Sequence, residues 1–350
     1  MSLGPLMIDL LGTEVSPEER ELLQHPLVGG VILFTRNYRD PVQLAALVAD
    51  IHAARTPQLL VAVDHEGGRV QRFRSGFSVL PAARRIGHEF DMDARSGVEL
   101  ARRMGWLMAA ELRARGLDLS FAPCTDLDYG MSEAIGDRSF HASSDAVSQL
   151  ALAYMHGMRD AGMAATAKHF PSHGAVVADS HFALPVDRRE RVDLEADLAP
   201  YRRLIANGLP CVMMAHVLFP SADAAPASFS RYWVGEVLRG ELGFQGVVCS
   251  DDLSMRGAGV VGDILARAQR ALAAGCDILP VCNDRASVLA LLRDLTLEPQ
   301  PASQLRLVRL RGKETLTPDM LMASEDWQRS QEFLARSKVA PAFKLEPGQA

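Results

Sequence analysis

The chain has 350 residues, 48% hydrophobic and 23% charged, which is an ordinary globular composition. Its formal net charge is −6 and it has no long basic run, so nothing in it recruits nucleic acid or an anionic membrane. No uncharged apolar stretch approaches the ~18 residues of a membrane span, and the opening MSLGPLMIDLLG lacks a basic leader.

These features lead us to expect a cytoplasmic protein, as a monomer or weak dimer. The five cysteines, Cys124, Cys211, Cys249, Cys276 and Cys282, lie in apolar runs and form no C-x-x-C pair. Free, buried thiols in a reducing compartment are expected.

Short apolar runs recur at 6–12, 28–34, 59–66, 117–124, 163–170, 210–217, 244–251 and 276–282. They are nearly continuous in apolar residues, which suits parallel strands buried on both faces. Helical patterns fill the gaps. Asp40-Pro41 reads as an N-cap and first-turn pair, with Leu44, Leu47, Val48 and Ile51 on one face behind it. Ala101, Met104, Met108 and Leu112 make a second stripe, and Val147, Leu150, Tyr154 and Met158 a third. Segments 190–207, 231–241, 262–274 and 285–295 also read as helices. Eight strands with intervening helices predict a single (β/α)₈ TIM-type barrel over 1–296, with a doubly wound open sheet as the competing arrangement. A C-terminal helical extension and tail, 297–350, follows; residues 303–337 read as polar helix that packs outside the barrel or in a dimer.

Active sites of such barrels form at the C-terminal ends of the strands. The third strand leads to Asp64, His65, Glu66 and Arg72, and the fourth to Asp126, Asp128 and Arg138. The fifth ends in Lys168-His169 and a loop with His173, Asp179 and His181. The sixth ends in His216 and the seventh in Asp251-Asp252. The opposite strand ends look far poorer in charge. Single members have bland alternatives: Asp128 and Asp252 as caps, Lys168 or Arg138 as structural ion pairs, His216 as a hydrogen-bonded core residue. Loop 168–181 holds Lys, three His and Asp within fourteen residues, with Pro171 and Gly174 opposing a helix, and reads as functional. No metal is expected, because the first strand offers no His pair and Lys168, Arg72 and Arg138 would repel a cation. Phosphate chemistry is disfavoured by Asp251-Asp252 and Asn283-Asp284 where a Gly-rich loop would be needed.

The segment KHFPSHGAVVADSH (168–181) resembles the KHFPGHG…DSH signature of family 3 glycoside hydrolases, in their bacterial β-N-acetylglucosaminidase branch. VDHEGGRVQR (63–72), IGDRSF (135–140), MMAHV (213–217), GFQGVVCSDDLSM (243–255) and GVILFTRN (30–37) are similar to the same family's other landmarks, in family order. The resemblance implies a retaining, cofactor-free exo-enzyme acting on N-acetylglucosamine-containing muropeptide fragments in peptidoglycan recycling. It implies Asp251 as nucleophile and His181 as acid/base held by Asp179. Asp64, Arg72, Arg138, Lys168 and His169 would bind the sugar, with His216 beside them. The spacing alone does not choose Asp251 over Asp252. Ser172 stands where the family pattern has Gly, and costs about 1 kcal/mol if the position needs φ > 0.

Overall fold

The computed structural model describes residues 2–180, 183–297, 300–313 and 316–339. Its eight barrel strands are β1 (Leu6–Asp9), β2 (Val28–Leu33), β3 (Leu60–Val63), β4 (Leu119–Ser120), β5 (Thr166–Phe170), β6 (Cys211–Met214), β7 (Val247–Cys249) and β8 (Leu279–Val281). β8, β1, β2, β3 and β4 pair in that order, all parallel. β5, β6 and β7 form a second parallel run. Bridges Leu119–Ala164 and Cys124–Lys168 join the two runs on one side, and Cys249–Ile278 joins them on the other. The ring therefore closes as a (β/α)₈ barrel, and the open sheet is excluded. Every residue of the eight strands is buried, as double-sided packing requires.

The helices begin where local chemistry starts them. Asp40 caps Pro41–Ala53, its Oδ1 accepting from Val42 N at 3.0 Å and Gln43 N at 2.8 Å. A helix not foreseen, Pro17–Gln24, starts with a capping box between Ser16 and Glu19. The expected strand 59–66 stops at Val63, because residues 65–67 fold back on Val70–Gln71 as an antiparallel hairpin. Gly67 and Gly68 make that turn at φ +107° and +56°, values open to glycine and costly for other residues. No helix among the described residues is long and apolar enough to cross a membrane. All five cysteines are buried free thiols, as expected.

The extension is not one helix over 303–337. It runs as Pro301–Leu307, a 3₁₀ turn, Pro318–Ala323 and Glu325–Val339. Glu325–Val339 lies on helix Ala94–Arg113, where Trp327 Nε1 donates to Glu111 Oε1 at 3.0 Å. The expected tail after 339 lies outside the described residues.

The barrel floor is not as poor in charge as the sequence suggests. Asp118 and Asp277, just before β4 and β8, are 2% and 3% exposed. Asp277 accepts from Val248 N and pairs with Arg239 and Arg306. Asp118 accepts from Val61 N and from Gly312 N of the extension. Apolar neighbours in sequence hide both carboxylates, because their partners are remote along the chain.

Candidate active site

At the opposite end, the C-terminal ends of the strands open on a cavity of about 250 Å³. Asp64, Arg72, Arg138, Lys168, His169, Asp179 and Asp251 all line it. These residues were singled out from the sequence, and the fold brings them together. Strand ends are rigid anchors, so side chains there are held for a ligand rather than searching for one.

One wall is a row of alternating charge. Arg72 Nη2 lies 3.5 Å from Asp64 Oδ2, and Lys168 Nζ lies 3.0 Å from Asp64 Oδ1. The same ammonium lies 2.6 Å from Glu66 Oε1. Arg138 grips Glu66 with two bonds, Nε to Oε2 at 2.9 Å and Nη2 to Oε1 at 2.8 Å. Burial raises the pKa of Asp64 and Glu66, but the cations beside them outweigh it and hold both below the usual range. The same balance raises Lys168: burial opposes its charge, and the two carboxylates more than restore it. Arg138 rides on the turn Gly136–Arg138, which Arg69 braces by donating to Glu133 O and Ala134 O and pairing with Asp137.

A second cluster surrounds Asp126, whose side chain is fully buried. Its Oδ2 accepts from His169 Nδ1 at 2.7 Å and His169 N at 3.1 Å, and its Oδ1 from His173 N at 2.7 Å. Burial raises the Asp126 pKa, and the His169 partner pulls it below the ordinary value. Cys124, Asp126 and His169 place ligand-type atoms within 4.8 Å of one another. Those atoms already hydrogen-bond each other, Cys124 Sγ donating to Asp126 Oδ2 at 3.3 Å.

Loop 171–180 is tied down at its root. Ser172 is 1% exposed and donates to Asp197 Oδ1 at 2.6 Å. Among the described residues only Asn283 combines a non-glycine side chain with positive φ, so the strain expected at Ser172 does not arise. Gly174 passes so close to the chain that a Cβ there would sit 2.0 Å from Leu127 O. Farther on, Ser180 Oγ lies 3.2 Å from His173 Nε2, and Ser180 O accepts from Gly257 N at 2.9 Å. His181 lies outside the described residues.

The two acids after β7 differ. Asp252 Oδ1 accepts from Ser254 N at 2.9 Å and Cys282 N at 3.1 Å, so its carboxylate staples two loops. Burial pushes its pKa up to about 6. Asp251, at the cavity wall, accepts from Asp252 N at 2.9 Å. His216 does not line the cavity: it is fully buried, stacks on Phe229 at 5.2 Å, and its Nε2 lies 3.0 Å from Asp252 O. This packing fits the core-residue alternative weighed for it from the sequence.

The sequence places Glu66 and Asp126 at the rim, with Glu66 as a fallback acid/base, but gives neither a leading role. The signal for Glu66 was its spacing of two from Asp64, which puts both carboxylates on one side of an extended segment. Asp126 carried only its place after the fourth strand; its pairing with His169, remote in sequence, had no local signal. Phe34, Ile135 and Met255 also line the cavity and supply apolar wall.

The glycosyl hydrolase family 3 N-terminal domain matches residues 6–306. A β-hexosaminidase of Thioalkalivibrio sulfidiphilus is 53% identical over 346 residues, 99% of this chain and 100% of that protein. A β-hexosaminidase of Alkalilimnicola ehrlichii is 55% identical over 348 residues, again 99% and 100%. The crystal structure of NagZ from Neisseria gonorrhoeae in complex with N-trifluoroacetyl-D-glucosamine superposes with a TM-score of 0.92 at 43% identity, covering 97% of this chain and 99% of that one. With the barrel, the charged mouth and near-full-length relatives in agreement, the chain belongs to glycosyl hydrolase family 3, as a glycosidase of its β-hexosaminidase branch.

Proposed function

We propose that the chain is a retaining exo-β-N-acetylglucosaminidase that removes terminal β-1,4-linked N-acetylglucosamine from muropeptide fragments during peptidoglycan recycling in the cytoplasm. The observation that carries this reading is the cavity itself. It is of a size for a sugar ring, it is walled by hydrogen-bonding charges, and a carboxylate stands at a strand end. Asp251 attacks the anomeric carbon from one face while the glycosidic bond breaks on the other. His181 protonates the departing oxygen; Asp179 orients it and stabilises the imidazolium, as the acid does in a Ser-His-Asp triad. The glycosyl–aspartate ester is then opened by water, from which His181 takes the proton back. The Arg72–Asp64–Lys168–Glu66–Arg138 row meets sugar hydroxyls with bonds that tighten as positive charge grows on the ring. Asp251 rather than Asp252 takes the attacking role because the Asp252 carboxylate is committed to two backbone donors that hold its loops together.

The test is turnover of 4-nitrophenyl β-N-acetylglucosaminide beside the matching β-glucoside, with the first-formed anomer followed by proton NMR. Release of the β-anomer first, and preference for the acetamido sugar, is expected. Release of the α-anomer first would reject the retaining mechanism, and equal or better glucoside turnover would reject the substrate class. Release of N-acetylglucosamine from an anhydromuropeptide tests the natural substrate.

A further inference from the structure

Asp126 does more than fill space below the cavity. Its carboxylate is surrounded by donors: the Cys124 thiol, the His169 and His173 backbone N–H groups, and the His169 ring at 2.7 Å. A ring nitrogen meets a carboxylate at that distance only as N–H, because two lone pairs would repel. A neutral imidazole carries one ring proton, so the bond at Nδ1 determines what Nε2 can do. His169 lines the cavity, and its Nε2 has no hydrogen-bond partner among the described residues. The neighbouring wall groups Lys168, Arg72 and Arg138 are all donors. A lone pair at His169 Nε2 would add an acceptor beside them.

We propose that Asp126 is a positioning residue that fixes His169 as the Nδ1–H tautomer, so that Nε2 accepts a hydrogen bond from a hydroxyl of the bound sugar. Asp126 never touches the ligand in this arrangement and reaches it through the ring. Its second oxygen holds His173 N, so the same carboxylate sets the ring and the start of loop 171–180 in one frame. The identity of the ligand rests on the glycosidase reading above; the tautomer does not.

The first test uses the full, unmutated chain. With ¹⁵N-labelled histidine, long-range proton–nitrogen correlation at neutral pH separates protonated from unprotonated ring nitrogens, and the His169→Ala variant assigns the signals. A protonated Nδ1 with an unprotonated Nε2 is expected. A protonated Nε2, alone or with Nδ1, would overturn the proposal. The second test is a double-mutant cycle on the aryl β-N-acetylglucosaminide. Asp126→Asn should lower kcat/KM by roughly 10–100-fold, the scale for losing a partner that orients a ligating histidine. Adding it to His169→Ala should cost little more than His169→Ala alone. Fully additive losses would show that Asp126 acts elsewhere and would overturn the proposal. If the unmutated chain fails to turn over the substrate, the function reading fails while the NMR result stands by itself.

Discussion

Glu66 and Arg138 meet side-on through two parallel hydrogen bonds of 2.8 and 2.9 Å, and Lys168 closes on the same Glu66 Oε1 at 2.6 Å. One carboxylate thus separates two buried cations. Removing it leaves two like charges facing each other out of water. Glu66→Ala should destabilise the fold by about 3–5 kcal/mol, the cost of breaking a buried pair from one side. Urea titration measures this; a loss under ~1 kcal/mol would mean that solvent already screens the row.

Asp251→Ala should cut turnover by roughly 10⁴-fold or more, the scale for deleting a hydrolase nucleophile. Asp252→Asn should leave far more activity, because the amide oxygen can still accept from Ser254 N or Cys282 N. A 5-fluoro glycosyl donor followed by peptide mass mapping should label Asp251. Label on Asp252 would reverse the assignment.

His181→Ala should separate substrates by leaving group. A sugar alkoxide needs a proton to depart and a nitrophenolate needs little. The variant should therefore lose orders of magnitude more activity on a disaccharide than on the aryl glycoside, and Asp179→Ala should show a milder form of the same split. Equal losses on both substrates would indicate that His181 only binds sugar.

Ser172→Gly should destabilise by about 1–3 kcal/mol, because it removes a buried hydroxyl donor from the charged Asp197 cluster. Thermal melts decide this. A stabilised variant would mean that the serine strains the loop, as the family pattern had suggested.

The pH dependence of stability carries a signature of Asp252. Burial raises its folded pKa to about 6, above the ~4 of an unfolded aspartate. The folded state therefore binds the proton more tightly. The associated stability is complete below about pH 4 and is lost as pH rises through about 6. Asp64, Glu66 and Asp126 act with the opposite sign: their pKa values are lowered, so their contribution is present above about pH 4 and lost on further acidification. Asp252→Asn cannot ionise. Its Tm relative to the unmodified chain should rise by a few degrees between pH 5 and pH 8, reflecting roughly 1–3 kcal/mol. A difference that stays constant with pH would contradict this.

The barrel was legible because eight apolar runs mark strands buried on both faces, and Asp64, Lys168, His169 and Asp251 were legible because each ends such a run. His216 ends one too, yet it packs under Asp252, because a position at a strand end does not fix which way the side chain turns. The hairpin after β3 starts at the end of the run 59–66, and Gly67-Gly68 just beyond that run gave the hint of a reversal. Asp126, Asp118 and Asp277 depend on partners distant in sequence, and no local pattern announces such pairings.

The floor carboxylates also bear on how the chain is made. Asp277 is translated with the closing strand β8, but Arg306, one of its two guanidinium partners, emerges from the ribosome only afterwards. Gly312, which donates to Asp118, emerges later still. Until then the nascent barrel holds two buried carboxylates short of partners, a state disfavoured by desolvation. Vectorial synthesis therefore delays final closure until the extension is free, and a nascent chain stalled just after β8 should remain far more protease-sensitive than one stalled after the extension has emerged.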